Sequence, residues 1–155
     1  MSLRFLSAAS LSIACLCFAF PASALPVDAG ACGHVSTEAG NVPTSLGVFT
    51  AQITQIDGRP PPMQRYEYRL AAGKHVLVVG ERIDRARLNS AQAAQIRKMQ
   101  SNSPAYLKAL ILDVQPGTSY RLGTRLIHDK LDTQSIRDNA YWEPVVWDEV
   151  AQACP

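Results

Sequence analysis

Tyr66-Glu67-Tyr68-Arg69-Leu70-Ala71-Ala72-Gly73-Lys74-His75-Val76-Leu77-Val78-Val79-Gly80-Glu81 decides the fold. From Arg65 to Leu70 the chain alternates, with Tyr66, Tyr68 and Leu70 on one face and Arg65, Glu67 and Arg69 on the other. That is the period of a half-buried strand. Ala71 to Lys74 reads as a turn, and His75 to Glu81 continues in the apolar manner of a strand covered on both faces. Together they predict a hairpin. A second hairpin is predicted from Ala105 to Val114, through Gln115-Pro116-Gly117-Thr118, to Ser119–His128. On its return strand Tyr120, Leu122 and Leu126 face inward, and Arg121 and Arg125 face outward.

Upstream, the β-branched and aromatic stretch Gly47 to Ile56 predicts a further strand, ended by Asp57-Gly58. Arg59-Pro60-Pro61-Pro62 lacks ladder donors and must be a loop or polyproline segment. Between the hairpins, Ser90 to Met99 is helix-favouring, with Asn89 or Ser90 as its cap. A weaker helical turn covers Thr133 to Asn139, and a last strand runs from Tyr141 to Val150, where Pro144 imposes an edge or a bulge. This order predicts a mainly β protein: an antiparallel β-sandwich or open barrel-like sheet with one short crossover α-helix. Residues 47–155 form the single β-rich domain, and 25–46 an extended lead-in without an apolar period.

The amino end reads as an export signal. Arg4 is followed by an apolar run from Phe5 to Phe20 and by the Ala-x-Ala pattern Ala22-Ser23-Ala24, so residues 1–24 are expected to be cleaved. Lipid modification at Cys15 or Cys17 is the lesser alternative. Of 155 residues, 47% are hydrophobic and 18% charged, too apolar for disorder and too interrupted by charge for a membrane span after processing. A net charge of only +2 argues against nucleic acid as the main partner. The expected location is the bacterial periplasm or the exterior. There, Cys32 and Cys154, the two cysteines left after cleavage, form an even pair expected to be bridged. Metal ligation is the competing use, served weakly by two cysteines without Cys-x-x-Cys spacing.

The segments Tyr68 to Val78 and Leu112-Asp113-Val114-Gln115-Pro116-Gly117-Thr118-Ser119-Tyr120-Arg121-Leu122 resemble the strand-turn-strand signatures of small bacterial secreted or periplasmic β-domains of the PEGA-like or transthyretin-like kind. The resemblance implies a β-sandwich at the cell envelope and brings no catalytic residue with it.

No nucleophile elbow, phosphate-binding glycine loop, zinc-protease motif or nucleotide fingerprint occurs, so no catalytic residue, cofactor or metal is expected. His34, His75 and His128 remain, the last beside Asp129, and a hydrolase or isomerase using a histidine-carboxylate pair is one alternative. A secreted protease inhibitor presenting Pro60 to Pro62 is another. The favoured reading is a non-enzymatic envelope module that binds another envelope protein or a surface glycan. Its contacts would be Tyr141 and Trp147, whose rings suit sugar stacking or a protein interface, and the outward Arg65, Arg69, Arg121 and Arg125, whose planar forks match anions. Against these stand a structural Trp and an ordinary solvated charged face.

Overall fold

The computed structural model describes residues 31–40, 42–62, 66–102 and 106–154. The expected signal segment and Arg65 lie outside them. The strands are β1 (Cys32–Ser36), β2 (Val48–Ile56), β3 (Glu67–Ala71), β4 (Gly73–Glu81), β5 (Lys108–Val114), β6 (Thr118–Leu126) and β7 (Trp142–Ala151). The helices are α1 (Ser90–Asn102) and the short α2 (Thr133–Arg137). The strands form one open seven-stranded sheet in the order β3-β1-β6-β2-β4-β5, with β7 on the other edge of β6. The protein is thus mainly β with one substantial helix, as the hydrophobic periods indicate.

Three expectations change. The sheet is mixed and not purely antiparallel, because β1 runs parallel to β6. The lead-in contains a strand paired on both edges, to β3 and β6. Neither expected hairpin closes on itself, since β3 pairs with β1, while β4 pairs with β2 and β5. Alternation shows which side chains turn inward but does not specify the partner strand. At the first junction only Ala72 separates the strands, and Gly73 takes a φ of +124° that side-chain-bearing residues rarely adopt. At the second, the Gly117 amide donates to Cys32 O and the Gly117 carbonyl accepts from Gln152 N, each at 2.8 Å. Both junctions are corners at which the chain passes from one part of the sheet to another.

The interior collects Leu77 and Val79 of β4, Val114 of β5, Leu122 of β6, Ile96 of α1, Ile136 of α2, and Tyr141 and Trp142 at the start of β7. Helix α1 opens with a reciprocal cap: Asn89 Oδ1 accepts from Gln92 N at 2.8 Å, and Gln92 Oε1 accepts from Asn89 N at 3.0 Å. Asp132 caps α2 by accepting from the amides of Gln134 and Ser135. Trp142 Nε1 donates to Asn139 Oδ1 at 2.6 Å.

A buried carboxylate ties these pieces together. Glu81 at the end of β4 has a side chain with 0% exposure. Its Oε1 accepts from Tyr141 Oη at 3.0 Å, Arg85 Nη2 at 2.8 Å and Gln100 Nε2 at 2.6 Å, and its Oε2 accepts from Ile83 N at 2.6 Å. Burial, then the Glu81 charge, holds the Tyr141 phenol well above its ordinary range, so that hydroxyl stays a donor.

Candidate functional site: a cleft at the fork of the sheet

One edge of β6 serves two strands. Ser119 to Arg121 pair with β1, and Gly123 to Arg125 pair with the first residues of β2. Running in opposite directions, β1 and β2 meet end to end along this edge. Beyond Thr50, β2 bends away to pair with β4, and the described residues pair no strand with its other edge there. The divergence opens a cleft of about 640 Å³, bounded by Thr37 and Ala39 after β1, Thr50 to Thr54 of β2, Tyr66, Tyr68, Arg82, and Pro61 and Pro62. A smaller hollow of about 300 Å³ shares Tyr68, Pro61 and Pro62 and reaches Arg69 and Leu70.

Each wall has a local cause. The Tyr66 carbonyl accepts from Thr37 N at 2.7 Å and from Thr37 Oγ1 at 3.4 Å, which fixes the chain ahead of β3. The Tyr66 side chain nevertheless stays 69% exposed. Tyr68, two residues on, is buried, and burial followed by the neighbouring Tyr66 holds its phenol above the ordinary range. Arg82 Nη2 donates to Gln52 Oε1 at 3.0 Å, so a guanidinium and a carboxamide stand together on one wall. The cleft therefore offers an exposed flat ring, threonine hydroxyls, an amide and a fixed positive charge. It can stack on an apolar face and hydrogen-bond polar groups around it.

The residues singled out from the sequence do not assemble into one surface. Tyr141 is fully buried on the Glu81 carboxylate. Trp142 beside it is fully buried as well, so the chain enters β7 from the interior. Trp147 is the extra residue in a bulge of β7 opposite Arg121 and Leu122. It packs over Gly123, where an added Cβ would lie 3.0 Å from the Trp147 ring and 2.8 Å from Phe49 O. Arg121 lies over the Trp147 ring at 5.5 Å and pairs with Asp148 at 3.4 Å, while Arg125 pairs with Glu143 at 3.2 Å. Arg69 donates through Nε to Cys32 Sγ at 3.0 Å. Each of these three guanidiniums is thus matched locally, by a carboxylate or a sulfur.

Tyr66 was legible only as a core-face residue, because its period places it with Tyr68 and Leu70. Gln52 and Arg82 gave no signal, since their pairing depends on β2 lying beside β4.

The histidines occupy three different settings. His128 begins a 3-10 turn (His128–Lys130) and makes no hydrogen bond with Asp129. His34 is buried beside the Cys32–Cys154 disulfide, whose Cα atoms are 5.9 Å apart. His75 does form a carboxylate pair, with Nδ1 at 2.6 Å from Asp57 Oδ2, but its Nε2 is 2.9 Å from Ala71 O. Both ring nitrogens are occupied, so none is left to accept a substrate proton, and the arrangement suits a protonated ring that clamps the corner before β4. Asp57, at φ 49°, also accepts from Val76 N at 2.8 Å.

Burial works against the charged His75 ring, but the Asp57 hydrogen bond, the Ala71 carbonyl and the Asp57 charge outweigh it and raise the pKa above the ordinary histidine value. The Val76 amide and then His75 lower that of Asp57. A raised histidine stabilises the fold fully below about pH 6.5, and the contribution is lost as pH rises through the folded-state value. Wild type should therefore exceed His75→Gln in urea midpoint by more at about pH 5.5 than at about pH 8.5. An equal difference at both would show that the ring is not charged in the fold.

The disulfide is as expected from the cysteine count. Among the described residues no helix is long and apolar enough to cross a membrane. The fold and the cleft define a disulfide-tied open β-domain with a concave polar-aromatic groove. The chain matches no family model, no curated protein and no solved structure.

Proposed function

We propose that this protein is a non-enzymatic binding module of the bacterial cell envelope, periplasmic or secreted, and that the cleft at the sheet fork takes a surface glycan. The observation that supports it is Tyr66, a large ring left 69% exposed at the mouth of a groove lined by Thr37, Thr50, Gln52, Thr54 and Arg82. Sugar rings present an apolar face to an aromatic side chain and hydroxyls to amides, hydroxyls and guanidinium groups. An envelope protein segment is the other candidate occupant. The proposal takes the export signal, the disulfide and the resemblance to envelope β-domains together for location.

The test is co-sedimentation of the processed protein with purified envelope polysaccharide, alongside pull-down from solubilised envelope protein. Tyr66→Ala and Gln52→Ala should each weaken glycan binding about tenfold, close to 1.4 kcal/mol. Both should leave the thermal midpoint nearly unchanged, because Tyr66 is exposed and Gln52 lies on the open face of β2. Polysaccharide binding that both variants retain in full would remove the cleft as the binding site.

A further inference from the structure

We propose that reduction of the Cys32–Cys154 disulfide unmasks a Cys2His site for a thiolate-seeking divalent cation, Zn2+ by its chemistry, with His34 as the third ligand. Cys32 and His34 are two residues apart on β1 and so share a face of that strand. Cys154 reaches the same face from the carboxyl end of the chain. The two sulfurs and one ring nitrogen of His34 lie within 4.8 Å of one another. Zinc bonds of about 2.3 Å to sulfur and 2.0 Å to nitrogen place tetrahedral ligand atoms roughly 3.5 to 3.8 Å apart. Separating the bonded sulfurs and drawing in the imidazole meets that geometry with small side-chain movements.

A further observation points to a ligand. His34 is only 7% exposed, and its Nδ1 is buried with no hydrogen-bond partner, which is costly for an imidazole in a folded interior unless something meets it. Two thiolates with one imidazole leave a fourth position for water, and the ligand set suits zinc better than magnesium or calcium.

The chemistry balances with a dithiol reductant. Its two thiols become a disulfide, supplying two electrons and two protons, and the Cys32–Cys154 bond opens to two thiols. Binding of Zn2+ then releases both thiol protons. The ion would close the same long loop that the disulfide closes, so the two states are alternative clasps on the ends of one domain.

The experiment is native mass spectrometry of the full processed protein with Zn2+ alone, before and after reduction by a phosphine and its removal under inert gas. Circular dichroism follows the fold, and Co2+ serves as the spectroscopic probe of thiolate ligation. The oxidised protein should bind no ion. The reduced protein should bind one Zn2+ per chain, raise its thermal midpoint on binding, and show sulfur-to-cobalt charge transfer with Co2+. His34→Ala and His34→Gln, whose folding is checked first with the disulfide intact, should bind Zn2+ at least tenfold more weakly once reduced. A folded reduced protein that takes up no ion would overturn the proposal, as would a reduced chain that unfolds and that Zn2+ does not refold. Wild-type Zn2+ affinity in both His34 variants would remove His34 from the site.

Discussion

Glu81→Ala is expected to cost about 3 to 5 kcal/mol, a large fraction of the total stability of about 5 to 15 kcal/mol usual for a domain. The carboxylate is the common acceptor for Tyr141, Arg85, Gln100 and the Ile83 amide. Its removal takes the shared acceptor from four donors at once; Arg85 Nη2 keeps Gln100 Oε1 at 3.2 Å, but its Nη1 is already buried without a partner and the other three lose this bond. A buried group left unpaired costs more than the bond it made. Tyr141→Phe removes a single donor and leaves the carboxylate three others, so its cost should stay near 1 kcal/mol. Urea unfolding of the two variants decides the matter. Equal, small losses would mean that Glu81 is not the hub joining β4, α1 and the entry to β7.

Replacing both Cys32 and Cys154 by Ser should have a comparable effect by a different route. The bridge spans 122 residues of sequence, and a loop of that size restricts the unfolded chain by about 4 to 5 kcal/mol in the entropic account, with measured losses commonly about 2 to 5 kcal/mol. The bond sits at a junction of the sheet. Cys32 lies in the strand that bridges β3 and β6, and its carbonyl holds the Gly117 corner. Thermal unfolding monitored by near-ultraviolet circular dichroism should show the midpoint fall by ten degrees or more, about 4 to 8 degrees per kcal/mol for a small domain. A fall of only a degree or two would mean that the sheet holds these ends without the bond.

Much of the element inventory was readable along the chain. Strands β2 to β7 lie within a few residues of the periods that announced them, and Asn89 does cap α1. What failed was pairing. Each junction of strands looked like a hairpin turn because Gly73 and Gly117 suit turns, yet the same glycines serve corners equally well. Strand β1 was missed because Cys32-Gly33-His34-Val35-Ser36 has only one residue with strong strand preference. Its place is set by neighbours: a Cβ on Gly33 would come within 2.6 Å of Val114 Cγ1 and 2.8 Å of Gln115 O, so the strand fits only as glycine at that point. The cleft was invisible for the same reason, being the space left where β1 and β2 part.

The pairing scheme also governs when the protein can fold. Strand β6 is the seam of the sheet, joined to β1, β2 and β7, and β1 has no partner earlier than β3. A chain emerging amino end first from the ribosome presents β1 long before the residues that hold it have been made. Contacts of such wide sequence separation form late and slowly. The sheet is therefore completed only after the last strand has arrived.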